Sequence, residues 1–114
     1  MESILELARQ LGREIRRHER FQQLAAAEKT VMADEQASLT HRQLEGHARK
    51  IAELQFADQP VGLEDRKKLQ ELREKAHANP QLQELARARA DYMELMSKVN
   101  EALEEGLHTS SIIV

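Results

Sequence analysis

Glu74 with His77 and Glu105 with His108 share the Glu-x-x-His spacing with which helix bundles hold paired iron or manganese ions. On a helix this spacing puts the carboxylate and the imidazole on one face. The two pairs cannot share a site, however. His77 falls just before the last helical segment and Glu105 near its far end, about 25 residues apart at 1.5 Å each. Sixteen glutamates and five histidines are also enough to produce such spacings by chance. No metal ligands and no cofactor are therefore expected. His41, beside the apolar stripe of the third helical segment, reads as a half-buried structural histidine.

Nucleophilic and phosphate chemistry find no support either. Ser3, Ser38, Ser97, Ser110 and Ser111 fall in caps, helices or the tail, and no strand–turn–helix elbow surrounds them. The four glycines (12, 46, 62 and 106) are isolated, whereas a phosphate cradle needs them in series. Cysteine is absent, which removes disulfides, thiolate metal sites and thiol nucleophiles. No catalytic residue is assigned, and the protein is expected not to be an enzyme.

The remaining candidate chemistry is a basic stripe. Arg9, Arg13, Arg16, Arg17 and Arg20 recur every three or four residues, interrupted only by Glu14 and Glu19 among charged groups. Such a stripe can grip RNA phosphates or an acidic protein partner. It can equally pair with Glu94, Glu101, Glu104 and Glu105 of the last helix, within one chain or between two. The net charge of −3 and only three aromatic residues count against RNA, which is usually bound by cationic surfaces and base stacking.

The elements that must position these groups are helices. Ala, Leu, Glu, Arg and Lys make up more than half of the 114 residues, while Ile and Val are few. Ser3 and Glu6 have the spacing of a capping box. Ile4, Ala8, Leu11 and Ile15 then share one face, and the stripe loses phase between Arg17 and Arg20, which predicts a break there. Asp34 is the next N-cap. A third helix carries Leu44, Ala48, Ile51 and Leu54, and a loop spans residues 58–62. A fourth helix runs from about Leu63 with Leu69, Leu72 and Ala76 inward. Asn79-Pro80 is the sharpest boundary, with Asn as N-cap and Pro at the first helical position.

The fifth helix, Pro80 to about Leu107, places Leu82, Leu85, Arg89, Tyr92, Met96, Val99, Leu103 and Gly106 at alternating spacings of three and four, a heptad seam. Gly106 suits a C-terminal cap. Such a helix is roughly 42 Å long, more than a small monomeric bundle covers by itself. The expectation is an all-α, five-helix antiparallel bundle that self-associates, as a homodimer or higher homo-oligomer, through Leu85, Tyr92, Met96, Val99 and Leu103. Residues 1–107 form a single domain, and residues 108–114 a flexible tail whose Ile112–Val114 end is either frayed or a small plug in a partner. No apolar run is long enough to cross a membrane, and the N-terminus lacks the order of a signal peptide, so a cytoplasmic location is expected.

The order of features resembles the YlbF/YmcA family of small helical bacterial regulators. The resemblance rests on Leu7-Ala8-x-x-Leu11-Gly12-x-x-Ile15, an Ala-rich second helix ending near Asp34, and a helix–loop–helix leading to Asn79-Pro80. A closing helix with Leu95-Met96 and Val99-Asn100-x-Ala102-Leu103 completes it, over roughly residues 3–107. It implies a cytoplasmic, non-catalytic protein that oligomerises through its helices. It further implies an adaptor role in a complex that modulates an endoribonuclease, with effects on RNA processing, competence, sporulation and biofilm formation. Two departures stand out. Leu85 occupies a place where many members carry an aromatic. Some relatives hold an iron–sulfur cluster through cysteines, and this chain has none, so cluster binding does not carry over. An RNA-binding module using Arg9–Arg20 is the alternative function, and a purely structural self-assembling bundle a third.

Overall fold

A computed structural model describes residues 1–108 of the chain; the tail residues Ile112–Val114 discussed above lie outside them. Five helices follow one another: α1 (Glu2–Arg17), α2 (Glu19–Ala33), α3 (Glu35–Phe56), α4 (Leu63–Ala78) and α5 (Pro80–Leu107). No strand occurs among the described residues. The all-α, five-helix expectation therefore holds. The chain divides into two compact units. One holds Met1–Ala25 with the chain from Arg87 onward, and the other holds Ala26–Ala86.

In the first unit, α1 begins two residues earlier than the capping-box spacing implies. Met1 stands at the N-cap and no side chain caps the helix. Glu6 instead meets Arg9 and Arg13, at 3.2 and 3.1 Å. The reciprocal Ser3–Glu6 cap is thus replaced by ion pairs one and two turns on.

The break falls at His18, in extended conformation with φ −67° and ψ 144°. Its Nδ1 accepts the amide of Arg20 at 3.0 Å, satisfying one of the free amides at the start of α2. The phase loss between Arg17 and Arg20 is the trace of this one-residue interruption. Just beyond it, Phe21 meets Tyr92 of α5 edge-on at 5.9 Å between ring centres.

The second unit holds most of the buried side chains: Ala27, Val31, Ala37, Thr40, Ile51, Leu72, Leu82 and Leu85. Its framework is the α3–α4 hairpin. Asp34 caps α3 by accepting the Ala37 amide at 2.8 Å, and Asp58 turns the chain beyond α3 with φ 57°. A left-handed residue here is tolerated because a short polar side chain can bond locally. Across the hairpin, Asp65 accepts Lys50 Nζ at 3.2 Å, and its carbonyl oxygen lies 2.8 Å from His47 Nε2. Asn79 Oδ1 accepts the amides of Gln81 and Leu82 at 3.0 and 3.2 Å, with Pro80 at the first position of α5. The Asn-Pro boundary stands where the sequence places it.

Gly106 does not cap α5. The helix runs through it to Leu107, and no glycine has positive φ among the described residues. The helix closes with the His108 amide donating to Glu104 and Glu105 carbonyls.

Asp34→Ala should cost about 1 kcal/mol, because the α3 terminus loses the one side chain that satisfies its amides. A urea titration followed by circular dichroism checks this: the midpoint falls while the slope is unchanged.

Candidate protein-interaction surface

The five arginines of the basic stripe have different fates. Arg9 and Arg13 both turn onto Glu6, and Arg17 meets Glu14 at 3.2 Å. Arg20 leaves the stripe: its Nη1 donates to the Asp91 carbonyl at 3.0 Å and lies 3.5 Å from Glu94 Oε1, joining α2 to α5. Glu94 also meets Lys98 at 3.4 Å. Lys98's hydrogen bond, followed by the charge of Arg20, holds the Glu94 carboxyl below its ordinary pKa. Its contribution to folding is thus present above the ordinary carboxylate range and disappears as pH falls through the lowered value. The group is exposed, so salt screens the effect.

Arg16 is the one α1 arginine with no carboxylate within 4 Å among the described residues. At 100° per residue, Arg9, Arg13, Arg16 and Arg17 all lie about 125–165° from the centre of the α1 apolar stripe. They share the side of α1 opposite that stripe. This basic face is mostly neutralised by Glu6 and Glu14 of its own helix.

The apolar stripe itself is the larger surprise. Ile4, Leu7, Leu11 and Ile15 line one side of α1, yet α1 contains no buried residue. Ile4 and Leu7 are 67% and 65% exposed. An amphipathic helix ordinarily turns such a stripe to a core. Leu11 and Ile15 are half-buried, so it is the N-terminal half of the stripe that lies open, which the sequence does not reveal.

The heptad seam of α5 divides in the same way. Leu85 is buried at 3% within the single chain, which corrects its assignment to an oligomer interface: it has almost no surface left to offer. Tyr92, Met96 and Val99 are half-buried, and Leu103 is 55% exposed. Every residue from Asn100 to His108 is exposed. Beside the seam, Met93, Met96, Ser97, Asn100, Glu101 and Glu104 line a shallow furrow.

Among the described residues no group of three or more His, Asp or Glu side chains is placed to hold a metal. His41 is half-buried and lies 3.1 Å from Glu45, in the structural position its spacing suggests. No helix among the described residues is long and apolar enough to cross a membrane.

Fold and surface together define a small all-helical protein with exposed apolar helix faces. The family model described as control of competence regulator ComK, YlbF/YmcA, matches residues 4–108, and the chain belongs to that family. It is similar to a solved protein of unknown function (DUF964) from Bacillus stearothermophilus. That likeness has a TM-score of 0.82 and 25% identity, covering 92% of each chain. A chain from the crystal structure of Bacillus subtilis RicA in complex with RicF shares the fold. Its TM-score is 0.68 at 19% identity, over 93% of this chain and 97% of that one. No curated protein matches.

Proposed function

We propose that the protein is a non-enzymatic, cytoplasmic regulatory adaptor that works through helix-mediated contacts with other proteins. In this reading residues 1–107 act as one domain and 108–114 as a flexible tail. Tyr92, Met96, Val99 and Leu103 serve self-association, and the regulated process is RNA processing with developmental outputs such as competence, sporulation or biofilm formation. The observation that carries the proposal is the exposed N-terminal part of the α1 apolar face, Ile4 and Leu7, a surface suited to another protein rather than to a small substrate. Family membership supports a regulatory role. RicA, which shares the fold, forms a complex with another protein, RicF.

The arginines favour protein over RNA. Three of the five are already paired within α1, and Arg20 is engaged by α5. The test is purification of the tagged full chain from its native cell, beside a Leu7→Asp variant. A defined protein recovered stoichiometrically with the wild type and lost from the variant is expected. Recovery of RNA instead, removed by nuclease and by moderate salt, would replace the adaptor with the RNA-binding alternative.

A further inference from the structure

A further open helix face lies in the second unit, on α4. Leu63, Arg66, Gln70, Arg73 and His77 follow one another at alternating spacings of three and four. At 100° per residue they fall within about 40° of one line along the helix. That line is about 110° from the centre of the face formed by Leu69, Leu72 and Ala76, which turns inward. All five residues are exposed, Leu63 at 72%. The spacing is that of a helix–helix seam, and the chain leaves it uncovered.

The charge along this face is unanswered. Arg66 and Arg73 have no carboxylate within 4 Å among the described residues, unlike Arg9, Arg13 and Arg17 of α1. They stand one heptad apart, roughly 10 Å along the axis. Of the α4 acids only Glu74 comes within about 90° of the line, and it accepts Gln70 Nε2 at 3.2 Å. Glu64, Asp65 and Glu71 lie about 120–140° away from it.

We infer that this face of α4 docks an acidic helix of another protein. Carboxylates one heptad apart on that helix meet Arg66 and Arg73, because both helices rise equally per residue. An apolar side chain of the partner covers Leu63. The inference rests on the adaptor reading above and adds what an adaptor needs besides the α1 face, a second contact surface whose partner has a stated chemistry. Two features favour a protein helix over RNA. The exposed leucine gives the contact an apolar anchor, and α4 carries no aromatic side chain on which a base could stack.

The test titrates the full chain with a synthetic helical peptide that carries glutamates one heptad apart and a leucine one turn from the end glutamate. Its control is a peptide of the same composition with the glutamates on opposite sides. In fluorescence anisotropy the first should bind at least about fivefold more tightly than the second. Arg66→Glu/Arg73→Glu should weaken binding at least about tenfold, since two attractions become repulsions. Leu63→Asp should weaken it as well. Lys68→Glu/Lys75→Glu makes the same change of charge on the same helix, but about 160–180° from the line. It should alter binding less than about threefold. Circular dichroism checks that each variant keeps its helices. Equal effects of the two double variants, equal binding of the two peptides, no binding of either, or tighter binding of a single-stranded uridine oligonucleotide would each overturn the inference. The adaptor reading is judged separately, by the protein lost from Leu7→Asp, and survives any of these results.

Discussion

Leu72→Ala is expected to destabilise the protein by about 2–5 kcal/mol, a large part of the roughly 5–15 kcal/mol that holds a domain folded. Leu72 is 2% exposed and is the only buried residue of α4. The other inward positions of that helix, Leu69 and Ala76, are half-buried. The rest of α4 is dominated by charged and polar side chains that gain little from packing. Truncation at Leu72 loses the transfer free energy of three carbons and leaves a cavity in the hairpin. The urea midpoint should fall strongly at constant slope, whereas exposed Lys68→Ala should leave it unchanged. A Leu72→Ala loss below about 1 kcal/mol would mean that the surface ion pairs to Asp65, rather than this leucine, hold α4 to α3.

Leu103→Asp is expected to have little effect on folding and a large effect on association. At 55% exposure Leu103 contributes little to the core of the single chain. In a two-fold pair it is buried twice. Fully burying a leucine contributes about 1.5–3 kcal/mol; at 55% exposure roughly half of that remains, so two copies give about 1.5–3 kcal/mol before any cost of burying carboxylates. The dissociation constant should therefore rise at least about tenfold, read by sedimentation equilibrium against an unchanged melting curve of the monomer. Phe56→Asp provides the contrast. Phe56 is 94% exposed at the end of α3, outside the proposed contact, and its substitution should leave association unchanged. An undisturbed sedimentation profile for Leu103→Asp would show that distal α5 is not where copies meet.

Local features were legible wherever the responsible groups are neighbours in the chain. Asp34 and Asn79 cap helices because a short side chain reaches an amide two or three residues ahead, a geometry spacing alone specifies. The break at His18 shows as a phase jump because one extended residue rotates everything after it. Two local signals failed, each because another arrangement was available. Glu6 lies within reach of Arg9 and Arg13 as well as of the helix start, and it took the arginines. Gly106 permits a left-handed cap without requiring one, and α5 continued through it.

At the candidate surface the structure separates residues that the sequence treats alike. Leu85 and Leu103 are the same residue type in the same heptad seam, so nothing in the sequence separates them, yet one is buried and the other largely exposed. Arg16 and Arg20 belong to one stripe, yet Arg20 reaches a carbonyl 71 residues away while Arg16 has no carboxylate beside it. The sequence by itself determined the helices, their order and which face of each is apolar, because these follow from 3.6-residue periodicity and from caps acting within one turn. Only the tertiary structure decided which apolar faces the chain covers and which it leaves open. Cover depends on what packs across from a residue, and that partner lies far away in the sequence.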